Sequence, residues 1–311
     1  MTTQGAGLRV VPAVAVPDAA RLTQARAVAA DYLSLTKPRI IVLLLITELT
    51  SMVVVARALP TVRELIAAIV GGFCAAGGSG ALNCWWDRDI DRVMRRTANR
   101  PLPAGRLRSS QALVFGFALL ALAAAVLWWL ASPLAVALAL LGSAYYVVVY
   151  TIILKRRTKQ NIVVGGAAGA VPVLVGSVIA TGHVTWLAIA LFGVIFFWTP
   201  PHSWALALVY RRDYANATVP MLPAVATERN VLRAILAYLM VLIVVSLLPG
   251  LVLGAAYAVP VAGLDLYFLF LAVRAMQRRN VRSSAQLFHY SLVYLAAVFA
   301  CSAGAAILGG S

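Results

Sequence analysis

Asn83-Cys84-Trp85-Trp86-Asp87-Arg88-Asp89-Ile90-Asp91-Arg92-Val93-Met94-Arg95-Arg96 closes an apolar run that opens near residue 64. Read as a helix of 3.6 residues per turn, it sets Asn83, Asp87 and Asp91 within an arc of about 80° along about 12 Å of axis, with Asp89 pointing away. An amide oxygen and two carboxylates on one stripe suit a hard cation such as Mg²⁺. That ion takes one or two carboxylates and fills its shell with water and phosphate oxygens. Arg95 lies one turn beyond Asp91 on nearly the same face, and Arg100 stands just before Pro101, where the helix is expected to end. Guanidinium groups bind phosphate oxygens in pairs, so acids for a metal beside arginines for a phosphate describe a diphosphate clamp. Solvated charges at an interfacial helix end are the plainer alternative. Three acids within five residues, in a chain with ten, are a costly concentration beside lipid and favour the clamp.

Lipid follows from the composition. The chain has 311 residues, of which 62% are hydrophobic and 12% charged, far from the balance of a soluble domain. About 20 apolar residues cross a bilayer's hydrocarbon core, and nine such segments are predicted, at 39–57, 64–84, 110–131, 133–154, 161–181, 185–209, 231–253, 256–276 and 286–308. The net charge of +16 would suggest nucleic acid in a soluble protein, but the basic residues lie in short clusters between apolar runs. Of the 26, all but Arg57 and Arg63 fall on one side of the predicted topology. The rule that basic loops are cytoplasmic then places the N-terminus inside, the C-terminus outside and the clamp at the cytoplasmic face. Residues 1–30 are expected to form a flexible tail and 31–311 the membrane domain. The tail lacks a signal-peptide pattern. Its Asp18 and Asp31, with no serine before Ser34, argue against a mitochondrial presequence, leaving the inner (cytoplasmic) cell membrane as the expected location.

Gly71, Gly72, Gly77, Gly78 and Gly80 precede the aspartate stripe and predict a close helix contact there. Cys74, Cys84 and Cys301 form no C-x-x-C pair and read as small buried apolar residues. Glu48 and Asp265 lie inside predicted spans, where an acid faces either a cavity or a partner helix. Pro200-Pro201 should break or kink the sixth span just before His202.

Residues 83–105 resemble the first aspartate-rich motif of the UbiA superfamily of intramembrane prenyltransferases, and the resemblance runs over about 30–308. Leu35-Thr36-Lys37-Pro38-Arg39 is similar to the segment that opens the family's first helix. Tyr150-Thr151-x-x-Leu154-Lys155-Arg156 and Gly165-Gly166-Ala167-Ala168-Gly169-Ala170-Val171-Pro172 follow in order. Trp198-Thr199-Pro200-Pro201-His202-Ser203-Trp204 and Arg212-Asp213-Tyr214-x-x-Ala217-x-x-Pro220-Met221-Leu222-Pro223 resemble the branch that farnesylates haem. Other branches carry paired aspartates in the second motif. Here Ala217 stands four residues after Asp213, which leaves Asp213 a single second-site carboxylate.

The resemblance implies an all-α bundle of nine transmembrane helices around a central cavity. It also implies transfer of a farnesyl group from farnesyl diphosphate to a vinyl group of haem B, giving haem O and diphosphate. Asn83, Asp87, Asp91 and Asp213 would hold Mg²⁺, while Arg95, Arg100, Lys155 and Arg156 would bind the diphosphate. Asp87, Asp91, Asp213 and Lys155 would then carry catalysis. Tyr145, Tyr146, Tyr150, Phe196, Phe197 and Trp198 are candidates for the prenyl cavity, and His202 for the acceptor. A downstream haem A synthase is an expected partner. The alternatives are a related enzyme acting on an aromatic acceptor such as 4-hydroxybenzoate, and a transporter. Acids gathered at one face, opposite a face with few polar residues, favour an enzyme over a transporter.

Overall fold

A computed structural model describes residues 18–309 of the chain. Among them nine helices are long and apolar enough to cross a membrane: Pro38–Ala56, Val62–Trp86, Ser109–Leu130, Pro133–Leu154, Asn161–Thr181, Trp186–Val209, Glu228–Leu253, Ala255–Arg278 and Val281–Leu308. Most begin within two residues of their expected positions because the change from loop to apolar run is sharp, while the seventh begins three residues earlier and the ninth five. Side chains also mark the starts: Ser132, Thr185, Thr227 and Asn280 accept from the backbone N–H groups of the first turn of the helices they precede.

Residues 1–17 of the expected tail lie outside the described residues. The rest of it, together with residues 31–36, forms a helix, Asp18–Thr36. This helix packs along the end of the second span. Asp31 accepts from Arg106 at 3.0 Å, and Tyr32 meets Phe115 edge-on at 5.0 Å.

The bundle is built from neighbouring pairs. The second span packs on the third, the first on the fifth, the sixth on the seventh and ninth, and the eighth on the ninth. Gly78 shows why the glycine-rich second span has no larger residues there: a Cβ would lie 2.7 Å from the Gly116 carbonyl oxygen of the third span. One apolar core joins the first span to the fifth to ninth, and a second joins the first five. The sixth span does not break at Pro200-Pro201 but stays helical from Trp186 to Val209.

The two intramembrane acids have different surroundings. Asp265 is buried and accepts hydrogen bonds from Ser246 Oγ at 2.8 Å and Tyr294 OH at 2.7 Å, while Tyr257 OH donates to the Ser246 carbonyl at 2.7 Å. Asp265 therefore links the seventh, eighth and ninth spans. Tyr294→Phe should lower the stability of the detergent-purified protein by about 1–3 kcal/mol, the cost of orphaning a buried acceptor. It should leave the farnesyl diphosphate KM unchanged; a shifted KM with unchanged thermal unfolding would contradict a structural role. Glu48 is also buried, next to Gly72 of the second span, and its Oε1 has no hydrogen-bond partner among the described residues.

Candidate active site

The quoted stretch is not one continuous helix. The second span ends at Trp86, Asp87 sits at the junction with φ −84° and ψ 5°, and a short helix, Arg88–Val93, follows. The i→i+4 bonds survive the junction, with the Asp87 N–H donating to Asn83 O and the Asp91 N–H to Asp87 O, both at 2.9 Å. Asn83, Asp87 and Asp91 are all buried. Met94 then turns extended (ψ 123°), so Arg95 does not continue the acidic stripe as expected. It lines a cleft with Asp213 instead. Arg100 returns to the stripe and donates to Asp91 Oδ2 at 2.8 Å, and Thr97 Oγ1 bonds the Asp91 carbonyl at 2.9 Å.

The facing wall comes from the end of the fourth span, where Tyr145–Leu154 is wound as a π-helix. Its i→i+5 bonds, such as Lys155 N–H to Tyr150 O at 2.8 Å, differ from those of an α-helix. Thr151 accepts from Asn83 Nδ2 at 2.9 Å, and Lys155 Nζ donates to Asp87 Oδ2. Tyr146 and Tyr150 stack with ring centroids 5.6 Å apart. Gly165 of the fifth span makes room for this wall, since a Cβ there would lie 2.2 Å from the Tyr150 ring. Tyr145 has turned elsewhere, its OH donating to Val164 O at 2.9 Å.

Lys37 supplies the third side. It occupies the break between the N-terminal helix and the first span in a left-handed conformation (φ 61°), with Pro38 next to it. Its Nζ donates to Asn83 Oδ1 and reaches Tyr146 OH at 3.3 Å. Burial pushes its pKa below the usual lysine range. Burial also opposes the charge on Lys155, but the Tyr150 and Asp87 oxygens outweigh it and raise that pKa. Arg156 grips Asp89 with two 2.7 Å hydrogen bonds and stands 3.6 Å from Asp87 Oδ1. The bonds from Arg156 hold the Asp89 carboxyl down at about 2. Asp87 Oδ1, an acceptor, and Arg156 Nε, a donor, belong to the buried atoms that make no hydrogen bond among the described residues.

The structure thus gathers Asn83, Asp87, Asp91, Arg100, Tyr146, Tyr150, Lys155 and Arg156. It adds Lys37 and Thr151, whose roles sequence reasoning missed although both lie in quoted motifs. A lysine directly before a proline at the start of the first span was the available signal. Asp213 and Arg95 line the separate cleft, whose lining includes none of Asn83, Asp87 and Asp91. His202 accepts or donates at 2.7 Å with Ser291 Oγ and stacks on Trp198 at 4.2 Å, and Trp198 Nε1 donates to Ser291 O at 2.8 Å. Phe197 meets Phe196 edge-on at 5.1 Å and packs on the large core.

Residues 44–302 match the UbiA prenyltransferase family. The chain belongs to that family. Among its UbiA relatives, a protoheme IX farnesyltransferase of Chloroflexus aurantiacus is 47% identical over 278 residues, which are 88% of this chain and 47% of that protein. The chain therefore spans about half the length of that relative. Another, of Nocardioides sp., is 44% identical over 291 residues, 91% of this chain and 93% of that protein. In fold, the chain resembles a digeranylgeranylglyceryl phosphate synthase (TM-score 0.76, 17% identity, 90% of this chain and 99% of the other). It also resembles a UbiA homolog from Archaeoglobus fulgidus bound to GPP and Mg²⁺ (TM-score 0.62, 16% identity, 87% and 99%).

Proposed function

We infer that this UbiA protein transfers a farnesyl group from farnesyl diphosphate to a vinyl group of haem B, giving haem O and diphosphate. The observation that carries the chemistry is the buried Asp87, with one carboxylate oxygen on Lys155 and the other 3.6 Å from Arg156 with no hydrogen bond among the described residues, at the polar end of an apolar bundle. That oxygen, with Asp91 and the Asn83 amide, is a donor set that suits a hard divalent cation. Asn83, Asp87 and Asp91 would hold Mg²⁺, which supplies Lewis-acid stabilisation of the diphosphate when bound.

The chain's own residues do the rest. Ionisation breaks the bond between farnesyl C1 and the diphosphate oxygen, and the electron pair leaves with the diphosphate. Lys155, Lys37, Arg100 and the Arg156 Nε–H stabilise the charge that develops there. With no substrate, Lys155 pairs with Asp87 and Arg100 with Asp91, which keeps the buried charges paired, while Lys37 holds the Asn83 amide oxygen. The faces of Tyr146 and Tyr150 shield and stabilise the allylic cation. The new carbon–carbon bond joins farnesyl C1 to the terminal vinyl carbon. The cation left beside the pyrrole ring takes hydroxide from water, whose remaining proton is released.

The basic end faces the cytoplasm on the charge rule, and haem A synthase is the expected consumer of haem O. The acceptor rests on the 44–47% identity to two protoheme IX farnesyltransferases. Purified protein given Mg²⁺, farnesyl diphosphate and equal haem B and 4-hydroxybenzoate should form haem O alone. Prenylated phenol without haem O would overturn the acceptor.

A further inference from the structure

We propose that the arginine-lined cleft beside the clamp is a dicarboxylate site that seats the two propionate groups of the acceptor. This rests on the reading that haem is the acceptor.

The cleft, about 900 Å³, lies where three loops meet at the basic end. The loop after the second span brings Arg95 and Arg96, the loop after the sixth brings Arg211 and Arg212, and the turn between the eighth and ninth brings Arg279. Against these five guanidinium groups stand two carboxylates, Asp213 and Glu228. Among the described residues none of the seven is in an ion pair. Arg211 is spent on the Ala226 carbonyl at 2.8 Å, and Arg96 lies over the Tyr210 ring at 5.7 Å. The side chains of Arg95, Arg212 and Arg279 make no hydrogen bond among the described residues, so their forks are free for an anion.

Arg279 adds an independent observation. Its backbone is left-handed (φ 44°), a conformation that glycine or asparagine adopts at lower cost at a helix end. A strained residue next to an anion-seeking cleft points to use of its side chain.

The shape selects the anion. The free guanidinium groups stand on three separate loops and have no lysine or paired aspartates beside them. They match two carboxylates on separate arms better than a compact diphosphate, which the clamp already serves. Leu208, Val209 and Val281 give the cleft an apolar side. Along the same two helices, His202 lies six residues before Leu208 and Ser291 seven after Ser284, each about 10 Å deeper in the bundle. A planar amphiphile with both carboxylates on one edge would set that edge among the arginines and its apolar body towards the membrane.

The test uses the full chain in nanodiscs with Mg²⁺ and farnesyl diphosphate, comparing haem B with its dimethyl ester, which lacks the carboxylates. For the R212Q/R279Q double variant the haem B KM should rise about tenfold or more, the loss of charge-assisted hydrogen bonds. The farnesyl diphosphate KM should stay within about twofold, which also shows that the site is folded. Wild-type protein should show a similarly raised KM for the ester, a comparison that needs no variant, and the double variant should add nothing to it. Equal KM values of the wild type for haem B and the ester, a raised farnesyl diphosphate KM, or an equal loss with both acceptors would each overturn the proposal while haem O formation stands. Failure of the wild type to make haem O would instead remove the acceptor, and the proposal with it.

Discussion

Asp87→Asn is expected to lower kcat/KM for farnesyl diphosphate by about 10²–10³-fold, the cost of removing one preorganised charge partner from a site of this kind. The change keeps the shape of the side chain and its capacity to bond Lys155 and Asn83. It removes the negative charge from the oxygen that makes no hydrogen bond among the described residues. The loss should therefore deepen as Mg²⁺ becomes limiting, and unchanged turnover at limiting Mg²⁺ would contradict the metal role. Folding needs its own control, because breaking a buried ion pair by removing one partner costs about 3–5 kcal/mol. Asp87 and Lys155 form such a pair, with 1% and 17% of their side chains exposed. Adding Lys155→Met to Asp87→Asn should restore much of the thermal stability and none of the activity. Recovery of activity with stability would mean the pair is structural.

Lys155→Met alone is the second large effect, expected at about 10²-fold in kcat with a smaller change in substrate KM. Its ammonium is held against Asp87 and is proposed to turn to the leaving diphosphate once substrate binds, which would put its main contribution in the transition state. The two single losses should not add, since both act on one leaving group. Additive losses, or a Lys155→Met change confined to KM, would show that the lysine only collects substrate.

The spans were legible because a membrane imposes a length and a composition on each helix. Positions 83, 87 and 91 were legible for a related reason: the i→i+4 bonds at Asp87 and Asp91 hold across the junction. Arg95 was not, because the extended backbone of Met94 ends the helical register and sends it into the cleft. The wall opposite was hidden for another physical reason. Sequence periodicity assumes 3.6 residues per turn, whereas Tyr145–Leu154 is π-helical, so Tyr146 and Thr151 reach the site while Tyr145 bonds Val164. Lys37 was counted as a topological charge, and only the tertiary fold brings it 46 residues along the chain to Asn83. Asp265 looked the same as Glu48 from sequence, but partners on two other helices make it a structural link.

The proposed reaction requires the stripe of Asn83, Asp87 and Asp91 to hold the cation beside the prenyl diphosphate. The most direct measurement is a crystal structure with Mn²⁺ and a non-ionising thiodiphosphate analogue of farnesyl diphosphate, with the metal located by anomalous scattering. The predicted result is an anomalous peak on the carboxylates of Asp87 and Asp91, with the diphosphate between it and Lys155. A peak on Asp213 in the arginine cleft, with no metal at Asp87, would show that the stripe does not hold the cation.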